Sequence, residues 1–582
     1  MSTILPRPIE RIKQLVYASA RFLKSECRDN PRRSTNNSKN SQQPSEDQIE
    51  IHQYPDPLFR NASITMPAAL ELDNGEHITY ESACKKDVNI INEAIYPGAR
   101  RQLFRKLWDQ RATIQALVRH HLRLRDEDAC IIEEQYIRGS FNVCIPVKVR
   151  SASFNKNLLF RCPMPHKLAE ARYPGTIDEK LSSEVGTYVW MQEHCPDIPI
   201  PQLYGFGFSN NRHFIHEQRM PFYVRFWRKL QRYFRNYLRY PHLSQYALSP
   251  TCLRLPTAYM LLEHIGPDIG EELSNTWDEH RKDPVRRQNL FQGMARVILS
   301  LARIPQPRIG SFEFHNNGTI TLTNRPLSCS MIILENDGAP RTISRNETYI
   351  STEPFVADML KFHDDFFLTN PNAVSSMGDC LGQMAAKAML RALSYRYIQR
   401  ESRNGPFRLQ LTDFHASNIF VDKDGNITCL IDHEWVCALP TEMISVPYWL
   451  TGCAIDNITE EKLREFEVVH EEFMNIFREE EVKMTPTNPP AITQIINDSW
   501  KSGAVWFWHC MTSVNAAWSL FDDHIGPRFL PLSTHSEGIL AHYWCQGSPL
   551  VARRKVAERE QYVKQLQVLF DKKAGLSTEG HS

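Results

Sequence analysis

Three absences narrow the field. The chain carries almost no net charge: 68 Lys and Arg stand against 67 Asp and Glu, leaving +1 over 582 residues. A balance this even excludes a general polyanion-binding character, so nucleic acid is not an expected partner. No window reaches the roughly 20 apolar residues that a membrane-spanning helix needs, so no integral membrane segment is expected. The 14 cysteines are scattered and form no Cys-x-x-Cys pair. That argues against a structural zinc site and for reduced thiols in an intracellular compartment, cytoplasmic in the first instance. What is present is ordinary for a globular chain, with 42% hydrophobic and 23% charged residues. The length allows a large core and two to four domains.

The informative stretch runs from Leu409 to Pro440. Ile419–Asp422 and Ile427–Ile431 are two short β-rich runs. Lys423-Asp424-Gly425-Asn426 lies between them, and Asp-Gly supplies the positive φ that a tight hairpin needs. With the turn centred there, residues whose numbers sum to about 850 should oppose each other. That pairing places Asn418 beside Asp432, with Cβ atoms roughly 5 Å apart. Hard oxygens at that separation suit Mg²⁺ with phosphate. An EF-hand calcium loop does not fit, because taking Gly425 as the obligatory glycine puts Phe420 at the first ligand position. Asp413 precedes Asn418 by five residues. Asp, then Asn, then a hairpin and another Asp is the order of parts in phosphoryl transfer: one group to orient and deprotonate a hydroxyl, two to hold metal.

Asp413-Phe-His415-Ala-Ser-Asn418-Ile and Ile431-Asp432-His433-Glu434-Trp435 resemble the catalytic and metal motifs of the aminoglycoside phosphotransferase family, in particular its fungal branch. Two departures stand out. Leu411 occupies the place where many kinase-like loops carry His, and His433 stands where Trp is usual. The resemblance implies an α+β, protein-kinase-like two-lobe fold, with a small β-rich first lobe and a large, mostly helical second lobe. It also implies ATP and Mg²⁺ as cofactors and a small-molecule hydroxyl as acceptor. Asp413 would then be the base, and Asn418 and Asp432 the metal ligands. Arg161, ending a strand at Leu158–Phe160, would hold the ATP phosphates and pair with Glu184 on the helix expected over Asp178–His194. Arg138-Gly139-Ser140-Phe141-Asn142 sits where such a fold places its phosphate-covering loop, and the amides of Gly139 and Ser140 would approach phosphate oxygens. With one glycine it also reads as an ordinary hairpin. Glu263-His264-Ile265-Gly266 resembles the hinge, where backbone groups of Glu263 and Ile265 would meet the adenine edge. Glu434, Trp449 and Trp506 are candidate acceptor-lining groups, with core packing the default for the aromatics.

Three regions follow: a variable one over 1–80, a first lobe with a helical extension and a basic insertion over 81–265, and a helical second lobe over 266–582. In the first region, Arg7, Arg11, Lys13, Arg21 and Lys24 alternate with apolar residues, as in a mitochondrial transit helix or a plain surface helix. Mitochondrial is therefore the alternative location. The stretch 221–240 carries six basic residues and no acid. It reads as a helix packed by its aromatic side with a solvated basic face, or as a dock for an acidic partner, an anionic membrane or a charged substrate. Two further functional readings compete with phosphotransfer. One is a catalytically silent scaffold. The other is a metal-dependent hydrolase using Asp413, His415, Asp432 and His433.

Overall fold

The computed structural model describes residues 69–579 apart from 74, 87, 153, 486–490 and 530–533. The basic segment before residue 30 and the residues that follow it, to residue 68, lie outside the described residues. The architecture is mixed, with small antiparallel sheets and many helices.

A hairpin (β1, Ala69–Glu71; β2, His77–Thr79) opens the described chain. Eight strands then build one antiparallel sheet: β3 (Ala129–Ile132), β4 (Ile137–Arg138), β5 (Asn142–Arg150), β6 (Asn155–Pro163), β7 (Leu203–Gly207), β8 (His213–His216), β10 (Tyr246–Leu248) and β11 (Tyr259–Glu263). Their order is β10-β8-β7-β11-β6-β5-β3, with β4 on β5. The strand β9 (His242–Leu243) lies outside it. The region expected to be an insertion, from 208 to 256, thus supplies two strands of the sheet. Side-chain alternation sorts the two faces. Val143, Ile145, Val147 and Val149 join Leu158, Phe160 and Cys162 on one face, under the helix Arg111–Leu122. Arg161 and Asn142, out of phase with these, point to the other face, where the helix Thr176–His194 lies.

Three smaller sheets follow: β13 (Ser311–Phe314) with β14 (Thr319–Asn324) and β9; β12 (Glu271–Glu272) with β16 (Ile419–Val421) and β17 (Ile427–Leu430); and β15 (Arg408–Leu411) with β18 (Val436–Leu439). The helices expected at 285–304, 354–368, 377–398 and 460–483 form as Pro284–Ala302, Thr352–Thr369, Met377–Tyr397 and Glu460–Met484. The stretch 492–521 is not one helix. Gly503, at φ +75°, ends the first piece, and 513–516 separate the next two. The helices Cys329–Asn336 and Leu273–His280 also form. One apolar core runs from Phe141 to Ile525, so packing is continuous across residue 265. A separate cluster joins Leu70, Ile78 and Ile90 to Tyr562, Leu566 and Phe570 on the helix Ser548–Glu579, and the Ile90 amide donates to the Tyr562 hydroxyl at 3.0 Å.

The Thr176–His194 helix positions the site, and it is buried nearly all round. Gly186 makes that possible, because a Cβ there would lie 2.7 Å from Phe312 Cβ on β13. That neighbour sits at the root of its side chain and cannot swing away. Gly186→Ala is therefore expected to destabilise the fold by about 1–2 kcal/mol. An overpacking cost of about 1–3 kcal/mol outweighs a helix-propensity gain of up to about 1 kcal/mol. A denaturant melt with an unchanged or higher midpoint would refute the close-packing argument. A buried ion network fixes the same helix from its first turns. Arg325, fully buried, donates to Glu179 at 2.7 Å and pairs with Glu335, which Arg341 also holds at 2.7 Å. Burial alone would raise the Glu335 carboxyl, but the two arginines hold it below its usual range. Arg325 lies in the run Asn324-Arg325-Pro326-Leu327, and its partners Glu179 and Glu335 come from two helices.

Candidate active site

The Asp-Gly turn forms as the sequence predicts. Gly425 has φ +85° and its amide donates to the Asp422 carbonyl at 3.1 Å, while the Asp422 side chain caps the Asp424 and Asn426 amides at 2.9 Å. The register differs from the expected sum of 850. Ile419 pairs with Leu430 and Phe420 with Cys429, and a bulge at Phe420/Val421 shifts the rest. Asn418 therefore opposes Ile431, whose amide donates to the Asn418 carbonyl at 3.0 Å. Asp432 comes one residue later, with φ +63°. Asp tolerates this left-handed conformation better than most residues, at a modest cost. The chain turns there, and the Asp432 carboxylate accepts from Arg161 Nη2 at 2.6 Å.

The Arg161–Glu184 pair forms as expected, and both residues are buried. Arg161 also meets Glu434 at 2.8 Å. Glu434, only 1% exposed, is an ion-network residue rather than an acceptor-lining one. It pairs with Lys180 and accepts from Asn142 Nδ2 at 2.8 Å. Lys180 lies 3.6 Å from Glu184 one turn on, and donates to Asn142 Oδ1 at 3.1 Å. Sequence reasoning did not single out Lys180 or Asn142. The signal for Lys180 was its i,i+4 spacing to Glu184. Burial of all these charges is tolerable because each is paired. Three carboxylates (Glu184, Asp432, Glu434) against two cations (Arg161, Lys180) leave one negative charge in the cluster.

Asp413 completes the site. Burial first, then the charges of Asp432 and Glu434, push its carboxyl up to about 7, with Asn418 working against the rise. The Asn418 amide donates to the Asp413 carbonyl at 3.0 Å and closes the loop. Trp449 Nε1 donates to the Phe414 carbonyl at 2.7 Å, so this buried indole braces the loop. Trp506 is a core aromatic stacked on His524, with ring centroids 3.7 Å apart. Neither tryptophan is placed as an acceptor-lining group.

The other expected groups fall as follows. Gly139 and Ser140 form the tip of the β4–β5 hairpin, with the Gly139 amide on the Asn142 carbonyl at 2.9 Å. A Cβ at Gly139 would meet only ordinary contact, 3.5 Å from that oxygen. The hairpin reaches the cluster through Asn142 and through Phe141, whose ring lies 5.1 Å from that of Trp435. Glu263 ends β11: its amide donates to the Gln202 carbonyl at 2.9 Å and its carboxylate accepts from Lys156 at 2.5 Å. Ile265 follows directly, after His264, whose amide donates to the Asn157 carbonyl at 3.1 Å. His433 is fully buried against Tyr188, ring centroids 5.0 Å apart, and burial followed by Arg161 pushes its pKa down to about 3.

The donor chemistry fits a hard cation. Oxygens of Glu184, Asp432 and Glu434 lie within 4.8 Å of one another, and no imidazole or thiol belongs to the group. All-oxygen sets suit Mg²⁺, Ca²⁺ or Mn²⁺. Among the described residues His415 and His433 join no such cluster, so the ligand set of the hydrolase reading is not assembled. A cavity of about 310 Å³ at the start of the Thr176–His194 helix shares no lining residue with the Asp413–Asp432 cluster. The chain matches no protein-family model and no curated protein.

Proposed function

We propose that the protein is an ATP- and Mg²⁺-dependent phosphotransferase that moves the γ-phosphate to a hydroxyl of a small molecule. In this reading the fold is a protein-kinase-like two-lobe arrangement, with nucleotide between the eight-stranded sheet and the helical part. The observation that carries it is the meeting of the Arg161–Glu184 pair with Asp432 beside Asp413 and Asn418. Three chain segments far apart in sequence converge on the groups that phosphoryl transfer needs.

Asp432, with Asn418 and Glu434, would hold Mg²⁺, which supplies charge neutralisation to the phosphates when bound. The chain's own residues do the rest. Asp413 orients the acceptor hydroxyl and takes its proton. Arg161 offers its planar fork to phosphate oxygens while Glu184 keeps the fork in place. Lys180 and Asn142 hold Glu434, so that its charge stays facing Arg161. Positioning and charge stabilisation dominate such reactions.

One observation favours a second reading, a catalytically silent scaffold. The Arg161 guanidinium already serves three carboxylates, including both that would bind metal. Thermal unfolding with and without Mg-ATP separates the two. An enzyme given nucleotide at 100 times its dissociation constant gains about 2.7 kcal/mol, seen as a rise in midpoint. No rise at millimolar Mg-ATP would exclude the phosphotransferase and leave the scaffold.

A further inference from the structure

The helix Phe222–Tyr237 is built the opposite way round from a helix packed by its aromatic side. At 100° per residue its side chains separate into two arcs. Phe222, Tyr233, Phe226, Tyr237, Tyr223, Phe234 and Trp227 fall within roughly 140°, and Arg235, Arg228, Arg232, Arg225 and Lys229 fall on the opposite side. Three members of the basic arc, Arg228, Arg232 and Arg235, face the protein. Arg228 donates to the carbonyls of Ser244 and Tyr246 at 2.7 and 2.8 Å, and Arg232 pairs with Glu217, which is 5% exposed. Arg235 donates to the Pro241 carbonyl at 3.0 Å. The physical reason is this set of buried acceptors, one of them charged, which arginine can satisfy and an aromatic ring cannot.

The aromatic arc is left in solvent. No residue of the helix is buried, and Phe222, Trp227, Tyr233 and Tyr237 are 61–78% exposed. Single exposed apolar residues need no explanation, but a contiguous row of seven aromatics does. Arg225 and Lys229 are also exposed, and on the helical wheel they border the arc. The surrounding chain has no acid from Gln218 to Leu262, 45 residues, while carrying eight Lys and Arg. In a chain with 67 acids in 582 residues, that stretch brings no negative charge of its own to the helix and its flanks.

We infer that this helix docks the protein on an anionic membrane surface. It would lie in the interface plane with its Trp, Tyr and Phe rings at headgroup depth, and with Arg225 and Lys229 toward acidic lipid. Amphipathic aromatic rings prefer that depth, and flanking cations add attraction to anionic lipid. Anchorage through Arg228 and Arg232 keeps the aromatic arc pointing outward, so binding requires no refolding of the helix. No described helix is long and apolar enough to cross a membrane, so the association would be peripheral.

The test is flotation of the full-length chain with vesicles of phosphatidylcholine containing about 30% phosphatidylserine, and with phosphatidylcholine alone. The wild type should float at least about tenfold better with the anionic vesicles. The double variant Phe226→Ser/Trp227→Ser, and separately Arg225→Glu/Lys229→Glu, should each lose binding about tenfold at an unchanged thermal midpoint. These four side chains point away from the core, so folding is spared. The basic N-terminal segment is present in every sample. Wild type that does not float, or Ser variants that float as well as wild type, would overturn the inference. So would a wild-type dimer that ignores vesicles and is broken by the same Ser substitutions, since a second copy would then be the occupant.

Discussion

If the proposed phosphotransfer is the reaction, Asp413→Asn is expected to lower its rate by about 10²–10⁴-fold while leaving Mg-ATP affinity near that of the wild type. A general base contributes a factor of that size, and the substitution keeps shape while removing the proton acceptor. The acceptor hydroxyl meets Asp413 only in the reacting complex, so the loss should fall on kcat. Single-turnover transfer to a responsive hydroxyl substrate, alongside nucleotide titration, measures both. A variant that turns over ATP as fast as wild type would remove Asp413 from the reaction. The substitution should also change stability, in a direction set by the raised pKa. The folded protein holds the Asp413 proton up to about pH 7, whereas the unfolded chain releases it near 3.8. The stability this confers is present at acid pH and is lost as pH rises from about 4 through 7. In chelator-treated protein, Asn at this position should therefore be more stable than Asp at pH 8. Discounted for partial exposure, the gap is about 1–3 kcal/mol, and it closes toward pH 4. Denaturant midpoints at both pH values check the sign.

Glu434→Ala is the second large effect. Glu434 is the common partner of Arg161, Lys180 and Asn142, and Lys180 is fully buried. Removing one partner of a buried ion network leaves uncompensated charge, at a cost of about 3–5 kcal/mol. The thermal midpoint should fall by several degrees, and Glu434→Gln, which retains the Asn142 hydrogen bond, should fall less. A midpoint within one degree of wild type for the alanine variant would show that water or another carboxylate reaches the site.

Much of the candidate site was readable in the residue order. The Arg161–Glu184 pair was what the family resemblance implied for a strand-ending cation and a mid-helix acid, and the two side chains do meet. The hairpin and its Asp-Gly turn were equally plain. What escaped was anything decided by one extra residue or by a distant partner. The turn pairs Val421 with Ile427, the bulge at Phe420/Val421 shifts that register by one so that Asn418 meets Ile431, and Asp432 leaves the ladder at positive φ; none of these leaves a compositional trace. Lys180 looks like any solvated lysine until the β5 and Glu434 side chains close over it. The basic helix shows its two faces clearly in sequence. Which face turns inward depended on Glu217 and three carbonyls that no helical wheel includes. The Arg325 network was likewise visible only as a four-residue run, because Glu179 and Glu335 come from separate helices.

The cluster that joins Ile90 to Tyr562 spans 472 residues of chain. A ribosome adding roughly 5–20 residues per second needs about half a minute to a minute and a half to cover that distance. For that interval Leu70, Ile78 and Ile90 lack the half of their cluster that Tyr562, Leu566 and Phe570 supply. Closure of this clasp therefore waits for residue 562, and a chain cut short before it would leave the β1–β2 hairpin without that cover.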